Sequence, residues 1–198
     1  MGSSVTRSAA ALIGLAAWAS PGTSWPLGPL RVEAGVQAGA GTTPFGTPNP
    51  LGFGLGARAG ASLANVYGGV SMRYYFGGSS VTCPTIELST CQSIQVSVHA
   101  IVYGFEGGYD FEWLRPLTLR PRIGVGNFEL FEQQQTLGAG GAVVESGATS
   151  YFYLEPGVTV LLPLGRVFVA LDTGFLWLPA ADGTNLSFTG QGQVGLRF

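Results

Sequence analysis

The last stretch of the chain, residues 185–198, constrains the fold more than any other. Successive side chains of a β-strand point to opposite faces, so Leu186, Phe188, Gly190, Gly192, Val194, Leu196 and Phe198 share one side. Asn185, Ser187, Thr189, Gln191, Gln193, Gly195 and Arg197 share the other. One face is oily and the other wet, and the chain ends on an aromatic residue in phase with the oily face.

A water-soluble domain normally carries about a quarter charged residues. Here they are 10% of 198 residues, while Gly numbers 32. Some large surface must therefore face something other than water. No run of eighteen apolar residues follows the N-terminal region, which disfavours membrane-spanning helices and favours a barrel, whose apolarity is hidden in alternation. The nine basic residues are all Arg and lie singly in a chain of net charge -2, so no basic patch points to nucleic acid. The length suits one domain.

Arg7 precedes the apolar run 9–17, and Ala17-Trp18-Ala19 has the small-x-small pattern of a signal-peptidase site. Residues 1–19 read as a secretory signal, 20–30 as a short periplasmic lead-in and 31–198 as the folded domain. The competing reading of the first segment is a short buried or amphipathic helix. Cys83 and Cys91 lie in a polar stretch without a nearby His. In an oxidising compartment they can close a small disulfide loop, and they lack the partners of a zinc site.

A two-residue period from Leu30 onward predicts eight strands, at about 31–40, 51–63, 66–76, 93–113, 117–128, 150–162, 166–177 and 185–198. The connections run long, tight, long, tight, long, tight and medium, with tight turns at Ala64-Asn65, Leu114-Arg115-Pro116 and Pro163-Leu-Gly165. Residues 77–93 and 132–149 read as long loops. Residues 95–98 follow the opposite phase to the strand below them, which predicts a bulge or a protruding stalk. Pro121 and Pro156 fall inside strands, where each removes a ladder donor, so bulges or rim positions are expected there.

Sorted by face, the outward residues are almost free of charge, with Phe53, Tyr74, Phe76, Trp113, Trp177 and Phe198 near strand ends. The inward set gathers Glu33, Arg58, Arg73, Glu106, Asp110, Glu112, Arg120, Arg122, Glu155, Asp172 and Arg197. Buried charge is costly unless paired, so these groups are expected to form a hydrogen-bonded network filling the interior. The pattern predicts an all-β, eight-stranded antiparallel up-and-down transmembrane β-barrel with both chain ends on the tight-turn side. A lipocalin-like calyx would need the reverse, an apolar lining and a polar exterior.

Little in the sequence points to reaction chemistry. Gly54-Leu-Gly56-Ala-Arg-Ala59 matches a relaxed dinucleotide fingerprint but opens no helix. Ser97, His99, the chain's one His, and Glu106 could in principle form an acyl-transfer triad, but nothing beyond their spacing supports it. Asp110 and Glu112 are better explained by Arg partners than by acid–base work. No pair of His supports a transition metal, and Asn185-Leu-Ser187 is a glycosylation sequon by letters only. No cofactor is expected.

On its strand pattern, loop alternation and terminal Phe198, the stretch 30–198 resembles the small eight-stranded outer-membrane proteins, the group that includes the OmpA membrane domain, OmpX and OmpW. The resemblance implies residence in the bacterial outer membrane, contact with its lipid, and recognition of the closing strand and Phe198 by the barrel-assembly machinery. It implies a non-enzymatic structural or surface-interaction role for the long loops. A narrow or lateral route for small or hydrophobic solutes, as in OmpW, is the alternative, and a lipid-modifying enzyme a third.

Overall fold

Alternating sequence makes strands, and strands leave backbone donors and acceptors along each edge. This chain satisfies them by closing its sheet. The computed structural model describes residues 30–43, 48–82, 93–114, 116–138, 141–179 and 185–198. Residues 1–19, read above as a secretory signal, residues 20–29 of the stretch read as a lead-in, and both Cys83 and Cys91 lie outside the described residues.

The strands are β1 (Arg31–Thr42), β2 (Phe53–Leu63), β3 (Val66–Phe76), β4 (Ser79–Thr82), β5 (Ser93–Tyr109), β6 (Phe111–Leu114), β7 (Leu117–Gly138), β8 (Gly141–Leu164), β9 (Val167–Leu178) and β10 (Asn185–Arg197). β4 prolongs the line of β3 against β5, and β6 that of β5 against β7. The ten segments therefore make eight staves, each antiparallel to its neighbours. β10 closes on β1 from Glu33↔Arg197 to Thr42↔Phe188. Phe198 locks the end of that seam, accepting from the Val32 N–H at 2.9 Å and donating to the Val32 carbonyl at 2.8 Å. Its ring stands outward, 70% exposed.

Two of the tight turns show how the short end is made. Ala64 and Asn65 both have left-handed backbones (φ 49° and 69°), the two-residue hairpin turn whose twist matches its strands. Gly165 (φ 74°) serves between β8 and β9.

The long-loop end departs from the sequence reading in three ways. Residues 132–149 are not a loop over most of their length, because β7 and β8 stay paired from Thr118↔Leu161 to Gly138↔Gly141 and project as a hairpin. The out-of-phase stretch 95–98 carries no bulge, since β5 pairs with β7 in unbroken register from Ser93↔Leu137 to Gly108↔Arg122. The irregularity lies in the partner stave, where the register sum changes from Tyr75↔Ala100 to Ser79↔Ser97. Gly77 and Gly78 there oppose the single residue Val98, whose N–H bonds to the Gly78 carbonyl at 3.1 Å. A Cβ at Gly77 would stand 2.1 Å from the Val98 carbonyl oxygen, so only glycine fits. Leu51, assigned above to a strand, instead folds into the barrel mouth, fully buried, with its N–H bonded to Asn49 Oδ1 at 3.0 Å.

The two prolines share the β7–β8 pair and point outward without shifting its register. Their cost falls on the other flank of each strand. The β8–β9 ladder skips from Leu154↔Trp177 to Gly157↔Gly174 around Pro156, and the β5 stave breaks at Asp110, diagonal to Pro121. Pro156 is thus accommodated by a ladder gap rather than by a bulge or a rim position.

The strain at Ala64 is open to test. An L-residue with a Cβ pays roughly 1 kcal/mol to sit in the left-handed region, so Ala64→Gly is expected to raise unfolding stability by up to about that amount. Urea titration of the folded chain in detergent micelles measures it.

Candidate functional site in the barrel lumen

The inward parity of the staves converges on one polar lattice. Arg73 grips Glu155 with both terminal nitrogens, Nη1 reaching Oε1 at 2.9 Å and Nη2 bonding Oε2. Arg122 lies across the same carboxylate at 3.2 Å and donates to Asp172 Oδ1 through Nη2 at 2.6 Å and Nε at 2.9 Å. Arg58 bonds Glu106 and reaches Asp172 Oδ2 at 2.8 Å. Thr189 donates to Glu155 Oε1 at 3.0 Å.

Nearer the tight-turn end stands a second group. Arg120 donates to Glu33 through Nη1 and Nη2, and to Asp110 through Nε at 2.6 Å. Ser62 donates to Asp110 Oδ2 at 2.8 Å, and Arg197 sits 3.6 Å from the same oxygen. The Arg120 guanidinium lies over the Tyr67 ring, 3.7 Å from its centroid, while Arg58 stands 5.6 Å from it. Tyr67 therefore separates and joins the two groups.

The lumen thus holds the cations Arg58, Arg73, Arg120, Arg122 and Arg197 against the anions Glu33, Glu106, Asp110, Glu155 and Asp172, and its formal charges cancel. All are buried except Arg197, whose side chain is 11% exposed at the rim. Glu112 differs from the sequence assignment. The break at Asp110 ends the alternation, and Glu112 turns to the exposed rim, where it accepts from Arg31 Nη1 at 2.6 Å.

Sequence reasoning missed that the interior is layered. Above the ion pairs, Gln191 donates to the Tyr75 hydroxyl at 2.6 Å. Beyond it Leu51, Tyr75, Ala100, Val102, Phe128, Tyr153, Leu176 and Leu178 form a buried apolar plug at the long-loop end. Leu161, Phe168 and Ala170 form a smaller one toward the other. The signal was present: Val98, Ala100 and Val102 share the parity of Glu106, and Phe128 that of Arg122. Their apolar character disguised it.

The residues considered for catalysis do not meet. Glu106 points inward, bound to Arg58, whereas Ser97 and His99 have outward parity on β5. The His99 ring stacks on Phe131 (centroids 4.9 Å, planes 6° apart) and stands 5.7 Å from Tyr74. It belongs to an outer band with Phe53 and Phe76, whose rings lie 6.2 Å apart. Trp113's side chain is outside the described residues. Among the described residues no cluster of three His, Cys, Asp or Glu is arranged to hold a metal.

The outer wall is the reverse of the lumen. Val36, Leu55, Met72, Phe105, Ile123, Leu171, Phe175 and Val194 are all exposed on it, Phe105 by 69%. Apolar surface continuous around a molecule is foreign to soluble monomers. A sheet closed on a charged interior with an apolar exterior excludes the lipocalin arrangement.

No protein-family model matches the sequence, and no curated protein matches it. Among solved structures, a major outer membrane protein from Thermus thermophilus superposes with a TM-score of 0.50 at 11% identity, over 85% of this chain and 99% of that one. The chain has the fold of the eight-stranded outer-membrane β-barrels. The N-terminal β-barrel domain of Pseudomonas aeruginosa OprF (TM-score 0.48, 12% identity, 85% and 97% covered) and Neisserial surface protein A (0.45, 15%, 85% and 95%) are also similar to this barrel. At such identities the likeness extends to the fold alone.

Removing one partner of a buried ion pair strands the other, at a cost of about 3–5 kcal/mol. Arg73→Ala and Glu155→Ala should each lose stability on that scale, whereas Arg73→Met with Glu155→Leu should lose much less than the sum. Urea unfolding in lipid vesicles measures this. Losses no larger than those from substitutions in 143–150 would show that the lattice is not under strain when broken.

Proposed function

We propose that this protein is an integral outer-membrane barrel of non-enzymatic type, exported by its N-terminal signal, that carries its role on the structures above the long-loop end. The observation that carries the reading is the lumen. Its charges are spent on one another and, among the described residues, its mouth is stopped by an apolar plug that interrupts any polar path. Among the described residues, what remains available to other molecules at that end is the projecting β4–β5 and β7–β8 structure. Phe198, outward and fastened to β1 at the closing seam, is the residue we assign to recognition by the assembly machinery.

Cell fractionation should recover the protein in the outer membrane, with a band that migrates differently before and after boiling. In planar bilayers the purified chain should add no steady conductance. A soluble periplasmic protein, or a stable open channel, would overturn the reading.

One observation favours a second reading. The ladder gap around Pro156 lies between β8 and β9 beside the apolar plug, where a small hydrophobic solute could pass laterally. Solute uptake into vesicles that falls when Pro156→Val restores the backbone donor would support such a route, and uptake no faster than in protein-free vesicles would remove it.

A further inference from the structure

The outer wall is not equally bulky all round. Across β10, β1, β2, β3 and β5 it sinks into a furrow of about 790 Å³, where the small side chains of Ala34, Ala57 and Ala59 lie between Val194 on one flank and Met72 and Phe105 on the other. The furrow climbs. Stepping from Ala34 to Ala59, Val70, Phe105, Val125, Leu154, Trp177 and Leu186, each the partner of the one before, leads into β10 near its long-loop end. Ala34's own partner in β10 is Leu196, near the tight turns. Each step in that direction therefore rises toward the long loops, and the furrow is lowest at β10 and highest at β5.

Tyr103 lines the furrow on β5, and its hydroxyl donates to Glu129 Oε1 at 2.9 Å. Glu129 shares the outward parity of Ile123 on β7. Among the described residues of β1, β2, β3, β5, β7, β8, β9 and β10 it is the only charged side chain of that parity. Every described Arg stands in the lumen or at the tight-turn end, so none is its partner. A carboxylate at the edge of hydrocarbon is costly without a counter-charge, and here the matching cation has to come from outside the chain.

The furrow narrows the choice of cation. It is apolar along its length and meets a carboxylate and a hydroxyl at its high end, the layout of an acyl chain hanging below an ammonium group that donates hydrogen bonds. A choline head has no N–H to give. An anionic head would meet Glu129, Glu132 and Glu145 at that end with no described Arg to hold it. A second copy of this chain carries no outward cation at that height to set against Glu129.

We propose that the furrow seats an acyl chain of an ethanolamine phospholipid, whose ammonium donates to Glu129 beside the Tyr103 hydroxyl. This goes beyond the role assigned to the outer hairpins and rests on the reading of the protein as a membrane barrel.

The test uses the full chain folded in vesicles of ethanolamine, choline and glycerol phospholipids in equal parts with identical acyl chains. After mild detergent extraction, native mass spectrometry identifies the lipid that stays bound. Ethanolamine lipid should be retained about tenfold over the other two, the scale of one charge-assisted hydrogen bond. Glu129→Lys should turn the preference toward the glycerol lipid, and Ala57→Phe, an exposed position in the middle of the furrow, should abolish retention. Equal retention of the three lipids, or a preference that neither substitution changes, overturns the proposal. So does a dimer that Ala57→Phe dissociates, which would assign the furrow to a second copy. The same samples are run boiled and unboiled: a heat-modifiable band without lipid preference sinks this inference alone, and absence of that band sinks the barrel reading with it.

Discussion

Closure is the constraint on which everything else in this molecule depends. A strand with one oily face cannot leave its backbone unpaired in a medium without water, so the sheet must return to itself. Here the return is made at β1 and β10, from Glu33↔Arg197 upward, and finished by the two backbone bonds between Val32 and Phe198. With eight staves the enclosed space is about wide enough for side chains and little else. The inside then has to be filled, and the alternation decides that half of every stave does the filling.

Filling it with charge is demanding because each buried ion must find its counterpart. The chain meets that demand with arginine, whose planar fork reaches two carboxylates at once. Arg122 spans Glu155 and Asp172, and Arg120 spans Glu33 and Asp110. Lysine, a point charge, would bridge less well, and the sequence contains none. The lattice ties β1, β2, β3, β5, β7, β8, β9 and, through Thr189, β10 together across the lumen, so cross-barrel side-chain bonds add to the ladder bonds around the wall. Prolines are tolerated where the ladder can spare a donor: Pro156 sits at a gap in β8–β9 pairing while its β7 flank stays in register.

The two ends of the barrel differ in kind. The tight-turn end is made by local chemistry, two left-handed residues at Ala64-Asn65 and one glycine at Gly165. At the other end the staves are unequal in length, and β7 and β8 outrun β9 above a plugged mouth.

Much of this was legible in the chain itself. The two-residue period of β3, β9 and β10 marked their limits and faces to within a residue, and the wet parity named the arginines and carboxylates that the structure places in the lumen, because a closed sheet translates parity directly into inside and outside. The rest depended on distant partners. Which arginine meets which carboxylate is a matter of register across β2, β5, β7 and β8, which no local pattern encodes. Glu112 kept the right parity in sequence yet left the lumen, because the break at Asp110 resets the alternation. The stretch 132–149 read as a loop because Gln133-Gln134-Gln135 and the Gly-rich segment lack apolar alternation. Paired with each other, they need none. Composition and period determined a barrel with its polarity inside out; only the assembled sheet decided where its ladder breaks, how its charges pair and which hairpin outruns its neighbours, since each of these is a relation between residues far apart in the chain.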